Sequence, residues 1–223
     1  MTAEILILPV VRVESRDDDL PLFKTNTKPL RGPLRKRRSH LWERDPHDWY
    51  VEPSWVSARL FKSEQFEGRV YDPACGCGTI VKSALDAGLM AYGSDIVNRG
   101  WDSTRTPHDF LTTPAAERHD NIVSNCPFGI AEKFVAHALQ IAERKVAMLL
   151  PANWVQGDKR SRWLATTPLR RVLFITPRPS MPPGSALAAG QKPGNGTTDY
   201  AWFIWLRGYD GAPECGWLRR DAA

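Results

Sequence analysis

The apolar and polar residues of this chain change period several times, and each change marks an element. From Trp55 to Phe61 apolar residues recur at helical spacing behind Pro53, which predicts a helix beginning near Ser54. Apolar runs at 69–71 and 90–94 flank a helical pattern at 79–87 that Gly88 stops, giving a strand, helix, strand unit of the parallel type. Asn121 Ile122 Val123 Ser124 predicts a buried parallel strand. Residues 130–142 set Phe134, Ala138, Leu139 and Ile141 on one helix face ahead of a strand at 145–150, a second such unit. A short helix at 161–165, a strand at 171–176 and an aromatic-rich last strand at 200–206 complete the pattern. Residues 177–198 are dense in Pro, Gly, Ser and Asn and predict a long mobile loop rather than an element.

Composition divides the chain without changing its class. With 223 residues there is room for one domain of ordinary size, expected at 45–223. Residues 1–44 differ: Asp17 Asp18 Asp19, several prolines, then Lys28, Arg31, Arg35, Lys36, Arg37 and Arg38 with no acidic residue among them. This segment reads either as a solvated, disordered tail or as a basic arm that grips nucleic acid. Thirty Lys and Arg against 25 Asp and Glu leave a formal charge of +5, a mild bias toward a polyanionic partner. The apolar start at 5–11 is too short to span a bilayer, contains Pro9 and lacks the flanks of a signal peptide, so a cytoplasmic location and no membrane partner are expected. Cys75, Cys77, Cys126 and Cys215 match no zinc framework; reduced thiols and no metal are expected.

Two short segments carry candidate chemistry. Asp72 Pro73 Ala74 Cys75 Gly76 Cys77 Gly78 Thr79 is a strand end opening into a glycine-rich turn before a helix, where a nucleotide-like cofactor sits. Gly76 and Gly78 leave room for a ligand to approach the main chain, although such a turn also serves dehydrogenases or a plain tight connection. Asp95, ending the second strand, is suited to accept hydrogen bonds from both ribose hydroxyls. Asn125 Cys126 Pro127 Phe128 puts an amide and an aromatic ring at another strand end, a grip for a flat, amino-bearing substrate.

Together these segments resemble the S-adenosylmethionine-dependent DNA adenine-N6 methyltransferases of compact orphan or phage type, whose hallmarks are a D-P-x-x-G-x-G-like loop and N/D-P-P-F/Y/W. The resemblance covers about 50–176, and Cys126 stands where the family has its first proline. It implies an α/β, Rossmann-like class I methyltransferase fold: a seven-stranded, mostly parallel sheet with helices on both faces and one antiparallel strand near the C-terminus. It implies S-adenosyl-L-methionine held by Asp72, Ala74, Cys75, Gly76, Gly78 and Asp95. Asp109, after a third strand, would accept from the cofactor's adenine amine and Phe110 would pack beside the ring, the alternatives being a helix cap and plain core. Tyr50 and Pro53 would close over the cofactor, with Glu52 replacing the usual threonine. Asn125, Cys126, Pro127 and Phe128 would form the catalytic set: the Asn125 side-chain oxygen and the Cys126 carbonyl accept the amine hydrogens, and Phe128 stacks on a flipped adenine. DNA is the implied partner, with RNA adenine as the alternative.

Lys159, Arg160 and Arg162, beside Trp154 and Trp163, and Arg178 are the candidate nucleic-acid contacts, against a solvated charged helix with its tryptophans in the core. Two further readings remain open: a cofactor- and nucleic-acid-binding module without turnover, marked by Cys126 and Glu52, and a nicotinamide oxidoreductase, which leaves Asn125 to Phe128 unexplained.

Overall fold

The computed structural model describes residues 47–102 and 105–220; the segment expected at 1–44 lies outside them. Seven strands form one sheet: β1 (Val70–Asp72), β2 (Ala91–Gly93), β3 (His119–Ser124), β4 (Ala142–Pro151), β5 (Leu169–Thr176), β6 (Tyr200–Leu206) and β7 (Glu214–Arg219). Their spatial order is β2-β1-β3-β4-β6-β5-β7. Only β6 runs against its neighbours β4 and β5; the other pairs are parallel.

The helices α1 (Ser54–Ser63), α2 (Thr79–Asp86), α3 (Ala131–Ile141) and α4 (Asp158–Leu164) cover the sheet, and a short α5 (Gly184–Ala188) lies in the connection before β6. Strand side chains alternate between two cores. Val70, Val123, Ala147, Leu149, Trp202 and Ile204 pack with Val56 and Leu60 of α1 and Ile80 and Ala84 of α2. On the opposite face Tyr71, Ile122, Val146, Met148, Leu150 and Phe203 pack with Phe134, Val135 and Ala138 of α3 and Leu164 of α4. Because β6 is covered on both sides, its sequence Tyr-Ala-Trp-Phe-Ile-Trp-Leu is apolar throughout instead of alternating.

Three expectations need correction. No strand forms between β2 and β3 among the described residues; Asp109 instead opens a short 3-10 helix, Phe110–Thr112. The seventh strand is β7, whose polar and glycine-containing sequence sits at the opposite edge. The segment 177–198 is no bare loop: it contains α5 and is tied down by main-chain hydrogen bonds from Val51 N to Pro182 O (3.0 Å) and from Gly184 N to Trp49 O (2.8 Å).

The topology fixes where a ligand can sit. From β1 the chain moves outward to β2, then returns to place β3 on the other side of β1. Such a reversal opens a crevice beyond the carboxyl ends of the two strands. Those ends are Asp72 and Ser124, so the glycine-rich turn and Asn125 become neighbours. At the amino end of the sheet a different group is buried: Lys145 Nζ donates to Glu64 Oε2 (2.9 Å) and Gln65 O (2.7 Å), while Arg171 bridges Glu64 and Glu214.

Candidate active site

The glycine-rich turn is shaped by its own hydrogen bonds. Asp72 Oδ1 accepts from Ala74 N (3.1 Å), Cys75 N donates to Ser94 O (2.9 Å), and Gly76 N donates to Asp95 Oδ2 (2.9 Å). Gly76 and Gly78 have φ of +53° and +82°, a left-handed backbone that favours glycine. The space beside them is not open, however. A Cβ on Gly76 would lie 2.8 Å from Trp49 Nε1, and one on Gly78 would lie 2.1 Å from the Trp101 ring. Two indoles occupy that side; Gly76 lines the cleft described below and Gly78 does not. Arg99 stacks on the Trp49 ring at 4.4 Å, and its Nε lies 3.5 Å from Asp95 Oδ1.

The segment before α1 forms a strap over the end of β3. Its conformation begins at Asp48, whose φ of 51° is uncommon for a residue with a side chain and whose Oδ2 accepts from Gly129 N (2.8 Å). Asn125 Nδ2 donates to Tyr50 O (2.7 Å) and to Glu52 Oε2 (2.8 Å). Both amide hydrogens are thereby used, and Asn125 Oδ1 takes no hydrogen bond among the described residues. Asn125, Glu52 and Tyr50 line the same solvent-open cleft as Asp72, Ala74, Cys75, Gly76, Asp95, Asp109 and Phe110. A second cleft lies across the strap, sharing Val51 and Glu52 and adding Pro53, Trp55, Arg178 and Arg220. Pro53 lines this outer cleft and is not among the residues lining the inner one.

Acids dominate the electrostatics of the inner cleft. Asp72, Glu52 and Asp95 are all buried at its wall. Burial pushes the Glu52 carboxyl up to about 7 despite the backbone and Asn125 hydrogen bonds that lower it. Burial, and after it the Glu52 and Asp95 carboxylates, hold the Asp72 carboxyl well above the usual range against the Ala74 hydrogen bond. Burial also lowers His108, so this imidazole on the cleft wall favours its neutral form. The Cys75 and Cys126 thiols are pushed up by burial and stay protonated, unsuited to nucleophilic work. All four cysteines are free, and no group of three His, Cys, Asp or Glu that could hold a metal gathers among the described residues.

Several expected site residues have structural work. Asp109 caps the 3-10 helix by accepting from Leu111 N (3.0 Å), and Phe110 is a core residue packed on Phe134 and His137, although both reach the cleft wall. Both Asp95 oxygens hold the backbone, accepting from Gly76 N and Val97 N, where free acceptors for a ribose were expected. Cys126 is buried behind the wall. Phe128 stands beside the cleft, its ring parallel to Tyr50 at 6.1 Å and tilted against Tyr200 at 5.9 Å, where an open stacking face was expected.

The basic set is also engaged: Arg160 donates to Trp154 O (2.6 Å) and stacks on its ring, Arg162 pairs with Asp158, and Arg178 pairs with Asp199. Trp154 is buried, as the alternative reading held. Lys159 has no intramolecular partner among the described residues. Sequence reasoning missed Trp49, Arg99 and His108, which are single residues without a motif, and it passed over Glu52 as a departure from a pattern.

No protein-family model matches the sequence, and no curated protein matches it. Solved structures do. A modification subunit of a putative type I restriction enzyme from Vibrio vulnificus YJ016 is similar over 74% of this chain and 45% of its own, with 16% identity and a TM-score of 0.53. The chain therefore spans under half of that subunit's length. The M protein of the type I restriction enzyme EcoKI is similar over 72% of this chain and 44% of its own (13% identity, TM-score 0.48). Magnesium protoporphyrin IX methyltransferase from Synechocystis PCC 6803, solved with bound SAM, is similar over 68% and 76% (15% identity, TM-score 0.45). The fold is the Rossmann-like class I methyltransferase fold. Within it, the glycine-rich turn after β1 and the Asn125 turn after β3 occupy adjacent strand ends, and the additional β7 extends the far edge. No helix among the described residues is long and apolar enough to cross a membrane.

Proposed function

We propose that this chain transfers a methyl group from S-adenosylmethionine to the exocyclic N6 amine of adenine in DNA. The observation that carries the reading is Asn125: with both amide hydrogens held by Tyr50 O and Glu52, its Oδ1 is left as an acceptor in the cleft that contains the glycine-rich turn. An aromatic amine is a poor nucleophile because its lone pair is delocalised into the ring. Acceptance of its hydrogens by Asn125 Oδ1 and, once the turn brings it out from behind the wall, by the Cys126 carbonyl localises that pair as the new bond forms. Since the second acceptor is a main-chain atom, cysteine in place of proline leaves the pattern intact.

The donor set of the cleft suits the cofactor. S-adenosylmethionine supplies an electrophilic methyl group on a positively charged sulfonium and also bears an ammonium group. Glu52, Asp72 and Asp95 favour such a cation and disfavour the pyrophosphate of a nicotinamide cofactor. Pro127 fixes the turn that opens the 3-10 helix Phe128–Ile130, and Phe128 offers a base-stacking ring once Tyr50 moves aside. Lys159 and the outer-cleft Arg220 are candidate phosphate contacts, Arg178 would join them only by exchanging Asp199 for a phosphate, and the formal charge of +5 favours a polyanion.

Incubation with methyl-labelled S-adenosylmethionine and, separately, DNA, RNA or protein tests the reading, followed by identification of the modified group. N6-methyladenine in DNA is the expected product; label only in RNA reassigns the polymer, and label only in protein overturns the reading. A second reading, a cofactor- and nucleic-acid-binding module without turnover, is favoured by Phe128 lying between Tyr50 and Tyr200 with no open face for a base. It predicts cofactor binding with no incorporation into any polymer.

A further inference from the structure

We propose that Glu52 is the positioning residue of the transfer site, turning the Asn125 amide so that its oxygen, and not its nitrogen, meets the acceptor amine. The inference rests on the reading of Asn125 as the amine-gripping group. It reverses the sequence-based suspicion that an acid in place of threonine marks a degenerate site.

An asparagine amide presents a donor end and an acceptor end of nearly equal shape, so something must choose between its two orientations. Here two acceptors face one end. Tyr50 O is a carbonyl 2.7 Å from Nδ2, and Glu52 Oε2 is a carboxylate oxygen 2.8 Å away. Rotating the amide by half a turn would set Oδ1 against both and leave buried acceptors unpaired. Tyr50 O alone supplies one contact and would leave the second amide hydrogen unheld. Glu52 completes the pair and does so from a rigid place, since Val51 is bonded to Pro182 and α1 begins two residues later at Ser54.

The burial of Glu52 argues in the same direction. Removing a carboxylate from water is costly unless a donor meets it, and Asn125 is the side-chain donor that does. A solvated glutamate in an extended strap would serve the strap's own backbone equally well. One held at 6% exposure against Asn125 serves the amide.

The test uses the full chain with Glu52→Gln and Glu52→Ala, because glutamine keeps an acceptor oxygen while alanine removes it. At saturating S-adenosylmethionine Glu52→Ala is expected to lower kcat by about 10–100-fold and Glu52→Gln to recover most of that loss, while KM for S-adenosylmethionine rises in both because both lack the carboxylate. KM for DNA should change little in either variant. A readout independent of turnover is the pair of Asn125 side-chain amide resonances in ¹⁵N-labelled protein without cofactor, assigned by their loss in Asn125→Ala. Slow hydrogen exchange of both protons in the wild type and in Glu52→Gln, with fast exchange of one in Glu52→Ala, supports positioning. Equal kcat in all three proteins overturns it, as does equal loss in both variants, which would assign the need to charge. If the wild type methylates nothing, the proposed function fails, yet the exchange measurement still decides whether Glu52 holds the amide.

Discussion

The two ends of the sheet bury charge in opposite ways. At the amino end, Glu64 and Lys145 are both buried, and their charges alternate through Arg171 to Glu214, so each meets its opposite. At the carboxyl end, Glu52, Asp72 and Asp95 share one cleft wall, and Arg99 is the cation paired there, held between Asp95 and Trp49. A balanced group is complete in the protein itself. Burial raises the Glu52 carboxyl pKa and, with the Glu52 and Asp95 charges adding to it, that of Asp72, and this unbalanced acid becomes favourable when a cation arrives. The contrast separates the end that holds the fold from the end built for a ligand.

The largest expected effect comes from breaking the balanced end. Lys145→Met leaves Glu64 buried with Arg171 as its remaining partner and should cost about 3 kcal/mol in denaturant unfolding, near the low end for a broken buried pair. Cofactor affinity should be unchanged, because the cleft lies at the other end of the strands. At the ligand end, Asn125→Ala should reduce methyl incorporation at least about 100-fold. Calorimetric S-adenosylmethionine affinity should persist, and its loss would place Asn125 in cofactor binding instead.

A smaller effect has the opposite sign. The Glu52 carboxyl is held up to about 7 in the fold, above its ordinary 4.5. Ionising it costs the native state: stability present below the unfolded pKa is lost as pH rises through the folded one. Glu52→Gln removes that loss, so at pH 8 the variant should be more stable by about 1–3 kcal/mol, with the advantage gone at pH 4.5. Urea midpoints at the two pH values test it, and an equal difference at both would remove the ionisation from the explanation.

The smallest effect is on cofactor binding, which should strengthen several-fold between pH 6 and 8. A cation favours the ionised forms of Glu52 and Asp72, so binding expels protons. Titration calorimetry in buffers of different ionisation enthalpy reads the sign, and proton uptake would contradict an acid wall that awaits a cation.

How far this molecule was legible follows from how each region is buried. Strand β6 and the 146–150 stretch of β4 were readable because both their faces are covered and their sequences are apolar runs, whereas β3 was readable only from Ile122 and Val123, its start at His119 being polar. Strand β7 escaped because an edge strand with Gly216 and an exposed Trp217 has no such pattern. A third strand was expected from the resemblance alone, and the residues around Asp109 carry no alternation to support it. The Asn125 turn was readable as a motif, and so was the loop from Asp72 to Gly78. What lies against them was not: Trp49 reaches Gly76 across 27 positions of sequence, and the arginines suited to phosphate are satisfied by Asp158, Asp199 and Trp154, contacts set by tertiary packing.

The strap is fastened to the segment before α5 by main-chain atoms: Val51 N, Pro182 O, Trp49 O and Gly184 N. A fastening of that kind is indifferent to most side chains. The outer part of the 177–198 connection can therefore drift in sequence, trading one surface for another, without disturbing the geometry at Asn125. Drift should halt at Gly184, where a Cβ would fall 2.2 Å from the Trp49 ring. The connection thus divides into a fixed hinge pin at Gly184 and an outer face whose side chains can be exchanged without moving Asn125.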